Sequence, residues 1–114
     1  MKNNRPQLRV IPFRQEGAAF VRILNGAPET VTMKSGCVTL APGASVGEHS
    51  THEREEIVIV LEGRGQVHHC ASAVHSVNAG DAIYIPPGTL HNISNAGLEP
   101  LRYVYVVAGA NGGN

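Results

Sequence analysis

The sequence predicts an all-β fold, an antiparallel sheet that closes into a jelly-roll β-barrel. Short segments rich in Val and Ile recur along the 114 residues, and Asn-Gly, Pro-Gly, Gly-Arg-Gly and Ala-Gly turns separate them. No segment keeps a helical period of apolar residues over several turns. Short strands separated by turn residues at this spacing are typical of closed or sandwiched antiparallel sheets.

Eight strands are predicted, with an arm before them and a tail after them. Residues 1–114 are predicted to form one domain, because the length suits a single core and no internal repeat is present. Residues 1–17 form an N-terminal arm, in which residues 8–11 could extend the sheet of a neighbouring molecule. Residues 109–114 form a flexible tail. The predicted strands are residues 18–24, 31–40, 56–62, 66–70, 73–77, 82–85, 90–94 and 102–108.

Composition and charge exclude several classes of function. The net charge is zero and only 16% of residues are charged, so no basic patch is available for nucleic acid. The first residues lack an apolar signal core, and the longest aliphatic run, residues 57–61, is far too short to cross a membrane. Cys37 and Cys70 are too few for a disulfide framework, and both fall in predicted strands, where free cysteines are usually buried. We therefore expect a reduced, cytoplasmic protein that binds neither nucleic acid nor membranes.

A rigid corner precedes a histidine in the last third of the chain. Pro86 and Pro87 fix φ and lack N–H donors, whereas Gly88 can adopt conformations that other residues avoid. Such a stiff turn sets the direction in which His91 points. Ordinary packing does not require a histidine oriented in this way, which favours a role for His91 as a ligand.

Further potential ligands lie upstream of this corner. His49, His52 and Glu56 fall within eight positions, directly before the apolar run that starts at residue 57. Imidazole nitrogens and one carboxylate oxygen suit a divalent first-row metal, and no thiolate accompanies them as in a cysteine-rich zinc site. We therefore predict that His49, His52, Glu56 and His91 bind iron, manganese, nickel or zinc.

The two stretches together resemble the cupin superfamily over residues 40–96. The second cupin motif, G-x5-P-x-G-x2-H-x3-N, is met at every fixed position by Gly80, Pro86, Gly88, His91 and Asn95. The first motif, G-x5-H-x-H-x(3 or 4)-E-x6-G, is met by Gly43, His49, Glu56 and Gly63. The resemblance implies a cupin-like double-stranded β-helix, a metal inside the barrel, a small-molecule ligand or substrate, and a homodimer.

One departure from the first motif affects a ligand position. The chain has H-x-x-H, with His49 and His52, where the family has H-x-H. Residues 49 and 52 of a regular strand point to opposite faces, so both can reach one metal only if the chain bulges or turns between them. Three alternatives remain open: a four-ligand site, a three-ligand site that uses one of the two histidines, and a barrel without metal.

The remaining polar residues are expected to have structural or surface roles. His68, His69 and His75 lie on a predicted hairpin, where His68 and His69 must face opposite ways, and surface positions are the default for all three. Asn95 is expected to hold the turn after His91 through bonds from its side chain to the backbone. Arg54 is expected to be exposed.

Function follows from the resemblance and from the chemistry of the predicted ligands. The leading hypothesis is a metal-dependent enzyme, an oxygenase of the dioxygenase type that acts on a small polar organic molecule. A metal-containing module that binds a sugar or an effector without turnover is the alternative, because no further acid–base residue is evident. Similar cupins also include sugar-phosphate isomerases and lyases, and fold alone does not choose among them.

Overall fold

The computed structural model describes residues 6–110, and this part of the chain folds into nine β-strands. The predicted all-β, antiparallel jelly-roll fold is confirmed, because every strand pairing is antiparallel. None of the described residues form a helix long and apolar enough to cross a membrane. The strands are β1 (Phe20–Asn25), β2 (Lys34–Leu40), β3 (His49–Ser50), β4 (Arg54–Glu62), β5 (Arg64–His69), β6 (Ala73–Asn78), β7 (Ala82–Ile85), β8 (Leu90–Ser94) and β9 (Leu101–Gly109).

The strands form two sheets that enclose the core. One sheet has the order β1-β2-β9-β4-β7 and the other the order β3-β8-β5-β6. Alternation along β4 illustrates the packing: Val58 and Val60 are buried, whereas the neighbouring Ile57 and Ile59 face outward. The core between the sheets consists of Leu40, Val58, Val60, Val67, Val77, Ile85, Ile93, Leu101 and Tyr103.

The strand predictions differ from the structure mainly at strand ends. Residues 31–33 lie outside β2, and Val31 is 79% exposed, so its β-branched side chain contributes no packing. Cys70 was predicted to end a strand as a buried residue, and that prediction was wrong. Cys70 is exposed and adopts a positive φ in the turn between β5 and β6. The two-residue strand β3 was not predicted, because His49 and Ser50 carry no apolar pattern.

The two ends of the chain also differ from the predictions. Within the predicted arm, residues 6–17 contain no strand, and Leu8 and Val10 are 95% and 88% exposed. Gly109 was assigned to a flexible tail, yet it closes β9 opposite Arg54, and its N–H donates to Thr32 Oγ1. Residues 1–5 of the predicted arm and 111–114 of the predicted tail lie outside the described residues.

Asn95 holds the end of β8, as predicted, through three hydrogen bonds to the backbone. Its Nδ2 donates to the carbonyls of Leu40, at 2.9 Å, and Glu99, at 2.8 Å. Its Oδ1 accepts from the Gly97 N–H at 2.9 Å. Since Asn95 is only 2% exposed, these bonds satisfy polar groups that water does not reach, and they join β8 to β2.

Candidate metal centre

Three of the four predicted ligands come together, with Glu56 and His91 buried and His49 exposed. His49, Glu56 and His91 each offer one ligand atom, and these atoms all lie within 4.8 Å of one another. His49 lies directly opposite His91 in the β3–β8 pairing, and their ring centroids are 4.3 Å apart. Glu56 comes from β4 of the other sheet, on the face that also carries Val58 and Val60. The site therefore bridges the two sheets.

Backbone carbonyls orient both imidazole rings. His49 Nδ1 lies 2.9 Å from the carbonyl oxygen of Gly47, and His91 Nδ1 lies 3.0 Å from that of Thr89. In neutral rings Nδ1–H donates to these oxygens, which leaves each Nε2 unprotonated. Histidine ligands in metal sites are commonly held in this way by a carbonyl or a carboxylate at the second nitrogen.

His91 Nε2 is the atom that calls for a further partner. His91 is 1% exposed, and its Nε2 has no hydrogen-bond partner among the described residues. The nearest acceptor, Glu56 Oε1, is 3.5 Å away, too far for a good hydrogen bond. Buried polar atoms are rarely left unsatisfied, and a metal ion between Nε2 and the carboxylate would satisfy both. The residues present therefore fit a metal ion.

The charge of Glu56 also acts on the protonation of His91. The contact with the Glu56 carboxylate raises the pKa of His91 above its ordinary value of 6.5, burial opposes this, and the bond to the Thr89 carbonyl reinforces it. A proton on Nε2 is the competitor of any metal cation at this position.

His52 is not part of the group of three. The chain does turn between His49 and His52, and φ at His52 is +52°, a conformation that histidine adopts more readily than most residues. However, the His52 N–H donates to Ser50 Oγ at 2.9 Å, and its carbonyl accepts from the Gly88 N–H at 2.8 Å. Both backbone groups are therefore tied down, and the exposed side chain lies at the rim of the cavity described below.

Thr51, at the position of the missing family histidine, has a structural role instead. Its Oγ1 donates to the carbonyl of Pro86 at 2.6 Å and accepts from the Thr89 N–H at 3.1 Å. Thr51 is 6% exposed, so these bonds are shielded from water. They fasten the segment before β4 to the Pro-Pro-Gly corner, and this places His49 beside His91.

A cavity of about 710 Å³ opens beside the three residues. Burial, reinforced by the negative charge of Glu56, raises the pKa of Tyr103, so its phenol on the cavity wall stays protonated.

Arg54 also lines the cavity, although the sequence predicted that it would be exposed. It was missed because the charged run at residues 53–55 resembles a solvated loop. The two-residue spacing from Glu56 was the available signal, since such residues share one face of a strand. The apolar part of the wall comprises Val38, Val46, Ile93, Tyr105 and Val107.

Comparisons with known proteins agree with this fold. A family model described as "Cupin domain" matches residues 36–107. The crystal structure of a Cupin 2 conserved barrel domain protein from Salinispora arenicola superposes with a TM-score of 0.71 and 27% identity, and the match covers 94% of this chain and 92% of that one.

Two curated relatives match over part of their length. "Oxalate-binding protein" from Thermotoga maritima is 35% identical over 68 residues, which are 60% of this chain and 55% of that protein. "Mannose-1-phosphate guanylyltransferase RfbM" from Salmonella typhimurium is 32% identical over 73 residues, 64% of this chain and 15% of that protein. This chain thus spans about half of the first relative and a small part of the second.

Proposed function

The chain belongs to the cupin family, and from this premise we propose that it is a metal-dependent oxygenase acting on a small organic acid. The fold is a cupin barrel, and His49, Glu56 and His91 form a group that could hold a metal ion.

The observation that carries the proposal is the composition of the group, two histidines and one carboxylate. This set, with open coordination positions, is typical of non-haem iron(II) oxygenases. Bound iron would supply the activation of O₂, the oxidant of the reaction. The residues of the chain hold and orient: the carbonyls of Gly47 and Thr89 set the two rings, and Glu56 supplies the negative charge.

The residues that line the cavity favour a negatively charged substrate. Arg54 is a permanent cation on a wall that also carries the carboxylates of Glu53 and Glu56, so a carboxylate end would lie near Arg54 while the carbon chain contacts Val38 and Val46. The protonated phenol of Tyr103 can donate a hydrogen bond to the same ligand. The similarity to a relative named for binding oxalate, a dicarboxylate, points in the same direction.

Binding without turnover is the second candidate. It is favoured by the name of the Thermotoga maritima relative. In this case the metal and Arg54 would hold the acid, and no bond of the ligand would change. An isomerase or lyase reaction of the cupin type would also use a metal but would consume no O₂.

Metal content and O₂ uptake test the proposal. Protein purified anaerobically without an affinity tag should contain about one iron per chain by elemental mass spectrometry, and should consume O₂ when small mono- and dicarboxylic acids are added. Manganese, nickel or zinc with substrate turnover but no O₂ uptake would contradict the oxygenase and favour an isomerase or lyase. Acids that bind and are recovered unchanged in air would support the binding module.

The chain offers a matched pair of histidine variants as a control. His49→Ala should lose the iron and the O₂ uptake, because one of three ligands is absent. His52→Asn removes a histidine only three residues away and keeps a residue that tolerates positive φ, so iron content should stay near that of the wild type. If both variants lost iron equally, His52 would be a fourth ligand.

Arg54→Gln should raise KM for acids at unchanged iron content.

We propose in addition that the protein is a homodimer. The arm residues Leu8 and Val10 are exposed, and on the outer face of β4 the alternating side chains of Ile57, Ile59 and Leu61 are each close to 40% exposed. Burial of these groups against a second copy would favour association. Sedimentation should give a species of twice the chain mass, and Ile59→Glu should shift it towards the monomer. A monomer at micromolar wild-type concentration would contradict the dimer.

The cytoplasmic location also stays a proposal. Cys37 and Cys70 are both unpaired in the described part of the chain, and burial raises the pKa of the Cys37 thiol, which keeps it unreactive. Two free thiols are consistent with a reducing compartment. Fractionation of the producing cells would test this, and recovery outside the cytoplasm would contradict it.

A further inference from the structure

A second pair of histidines faces a cavity of its own. In the β5–β6 pairing His69 lies opposite Ala73 and His75 lies opposite Val67, so the two histidines are diagonal neighbours on one face of the sheet. Their Nε2 atoms are 2.8 Å apart, and their rings are stacked with centroids 4.9 Å apart. Both line a cavity of about 690 Å³. Both histidines were expected at the surface. His75 is exposed, but His69 is half-buried, and both face this cavity.

The distance between the two nitrogens suits a shared metal ion. Without a metal, one ring donates its Nε2–H to the other, so a single proton lies between the two nitrogens. A divalent ion bound to each at about 2.0–2.1 Å would separate the nitrogens by about 2.9 Å at the 90° angle of octahedral Ni²⁺ or square-planar Cu²⁺, and by about 3.3 Å at the tetrahedral angle of Zn²⁺. The ion could replace this proton once each ring turns so that its Nε2 lone pair points at the ion rather than at the other nitrogen, and the open cavity leaves space for this.

Neighbouring residues assist the pair. Cys70 Sγ lies 3.2 Å from His69 Nδ1, so the sulfur can accept the Nδ1–H and leave Nε2 of that ring available to a metal. The side chains of Cys70 and Asp81 also line the cavity. The group is separate from the ligands described above, although the two cavities meet at His91, whose Cα pairs with that of His69 across β8 and β5.

The geometry points to a second metal site, in which His69 Nε2 and His75 Nε2 bind one Zn²⁺, Ni²⁺ or Cu²⁺ ion and water completes the coordination. Imidazole nitrogens select these borderline ions over Mg²⁺ and Ca²⁺, which prefer oxygen. The site is more open than the His49–Glu56–His91 group, because His75 is exposed and His69 only half-buried. It has no buried carboxylate either, so it should bind more weakly.

Calorimetric titration with Zn²⁺ tests this site in tag-free protein stripped with EDTA. His75→Ala and His69→Ala should each bind one ion fewer per chain than the wild type. His68→Ala is the matched control, because His68 points to the opposite face of β5, where its Nε2 bonds to Ser94 Oγ, and its stoichiometry should equal that of the wild type. Equal stoichiometry in His75→Ala and the wild type would overturn the proposal.

A second measurement needs no variant and so avoids any question of folding. Paramagnetic Ni²⁺ added beyond the first equivalent, which the stronger His49–Glu56–His91 group takes up, should broaden the ring-proton resonances of His69 and His75 much more than those of His68. Unchanged His69 and His75 resonances would also overturn the site. The outcome is independent of the proposed oxygenase, because His91→Ala should lose the other ion and keep this one.

Discussion

The four-stranded sheet carries two groups of histidines that differ in what satisfies their ring nitrogens. His49 and His91 are held at Nδ1 by backbone carbonyls, and the buried Nε2 of His91 has no hydrogen-bond partner in the described part of the chain. His69 and His75, one strand further along the same sheet, bond to each other. The first group therefore contains a buried nitrogen without a hydrogen-bond partner, whereas in the second group each histidine already serves as the partner of the other.

The surroundings of the two groups differ as well. Glu56 faces the first group from the opposite sheet, and Asn95 anchors β8, the strand that carries His91. The second group lies beside a turn in which Cys70 and Ala71 both have positive φ and no comparable anchor is evident in residues 6–110. Buried charge and a rigid scaffold thus distinguish a strong candidate site from a weaker one, although both are built from histidine pairs.

Glu56→Gln should produce the largest difference between the two groups. The amide keeps the size of the side chain but removes the anionic ligand, so metal affinity at the first group should fall by more than about 100-fold. The ion at His69 and His75 should be retained. Glu55→Gln is the control, since Glu55 lies on the other face of β4 and bonds to the Tyr84 hydroxyl. Calorimetry with Zn²⁺ measures both, and equal losses in the two variants would contradict the assignment.

Asn95→Ala should have the next largest effect, on stability. The variant leaves the carbonyl of Leu40 and the N–H of Gly97 without their buried partner, and the carbonyl of Glu99 without a part-buried one, which should cost about 2–4 kcal/mol. Urea denaturation measures this cost. Asn92→Ala, in β8 just before Asn95, loses a single exposed bond from the Gly47 N–H and should cost about 1 kcal/mol or less. Similar costs for both variants would refute the role of Asn95 as an anchor.

The stability of the metal-free and metal-loaded forms should respond oppositely to pH. The pKa of His91 is raised in the folded metal-free protein, so its contribution to stability is complete below pH 6.5 and is lost as pH rises through the folded pKa. Metal binding instead requires the unprotonated ring. The melting temperature of the metal-loaded form, relative to the metal-free form, should therefore increase from pH 6 upward. A gap that does not change with pH would show that His91 is not a ligand.

Ala71→Gly should give the smallest effect and should stabilise the protein. Ala71 has φ of +64°, where glycine is not strained, so the unfolding free energy should rise by about 0.5–1 kcal/mol. Ala73→Gly is the control two residues later: it lies in β6, where glycine should instead destabilise by a similar amount. Thermal melts of both variants test for backbone strain at Ala71, and a loss of stability in Ala71→Gly would mean that its positive φ is not strained.

Much of the fold and part of the candidate site could be predicted from the sequence, because those features depend on local order. The alternation along β4 places Glu56 on the face of Val58 and Val60, and two prolines and a glycine direct the chain into His91. Strands such as β7 and β8 were predicted with their observed bounds, because turn residues delimit them on both sides. The motif that carried the family resemblance is likewise a local pattern.

Only the tertiary structure decided which side chains meet. Whether His49 or His52 joins His91 depends on a positive φ at residue 52 and on bonds from Thr51 to a corner more than thirty residues away. The pairing of His69 with His75 depends on the register of β5 against β6, and a shift of one residue would turn one of them to the other face. The sequence determines the alternation along each strand, but contacts between strands follow from register and packing, which are properties of the whole barrel.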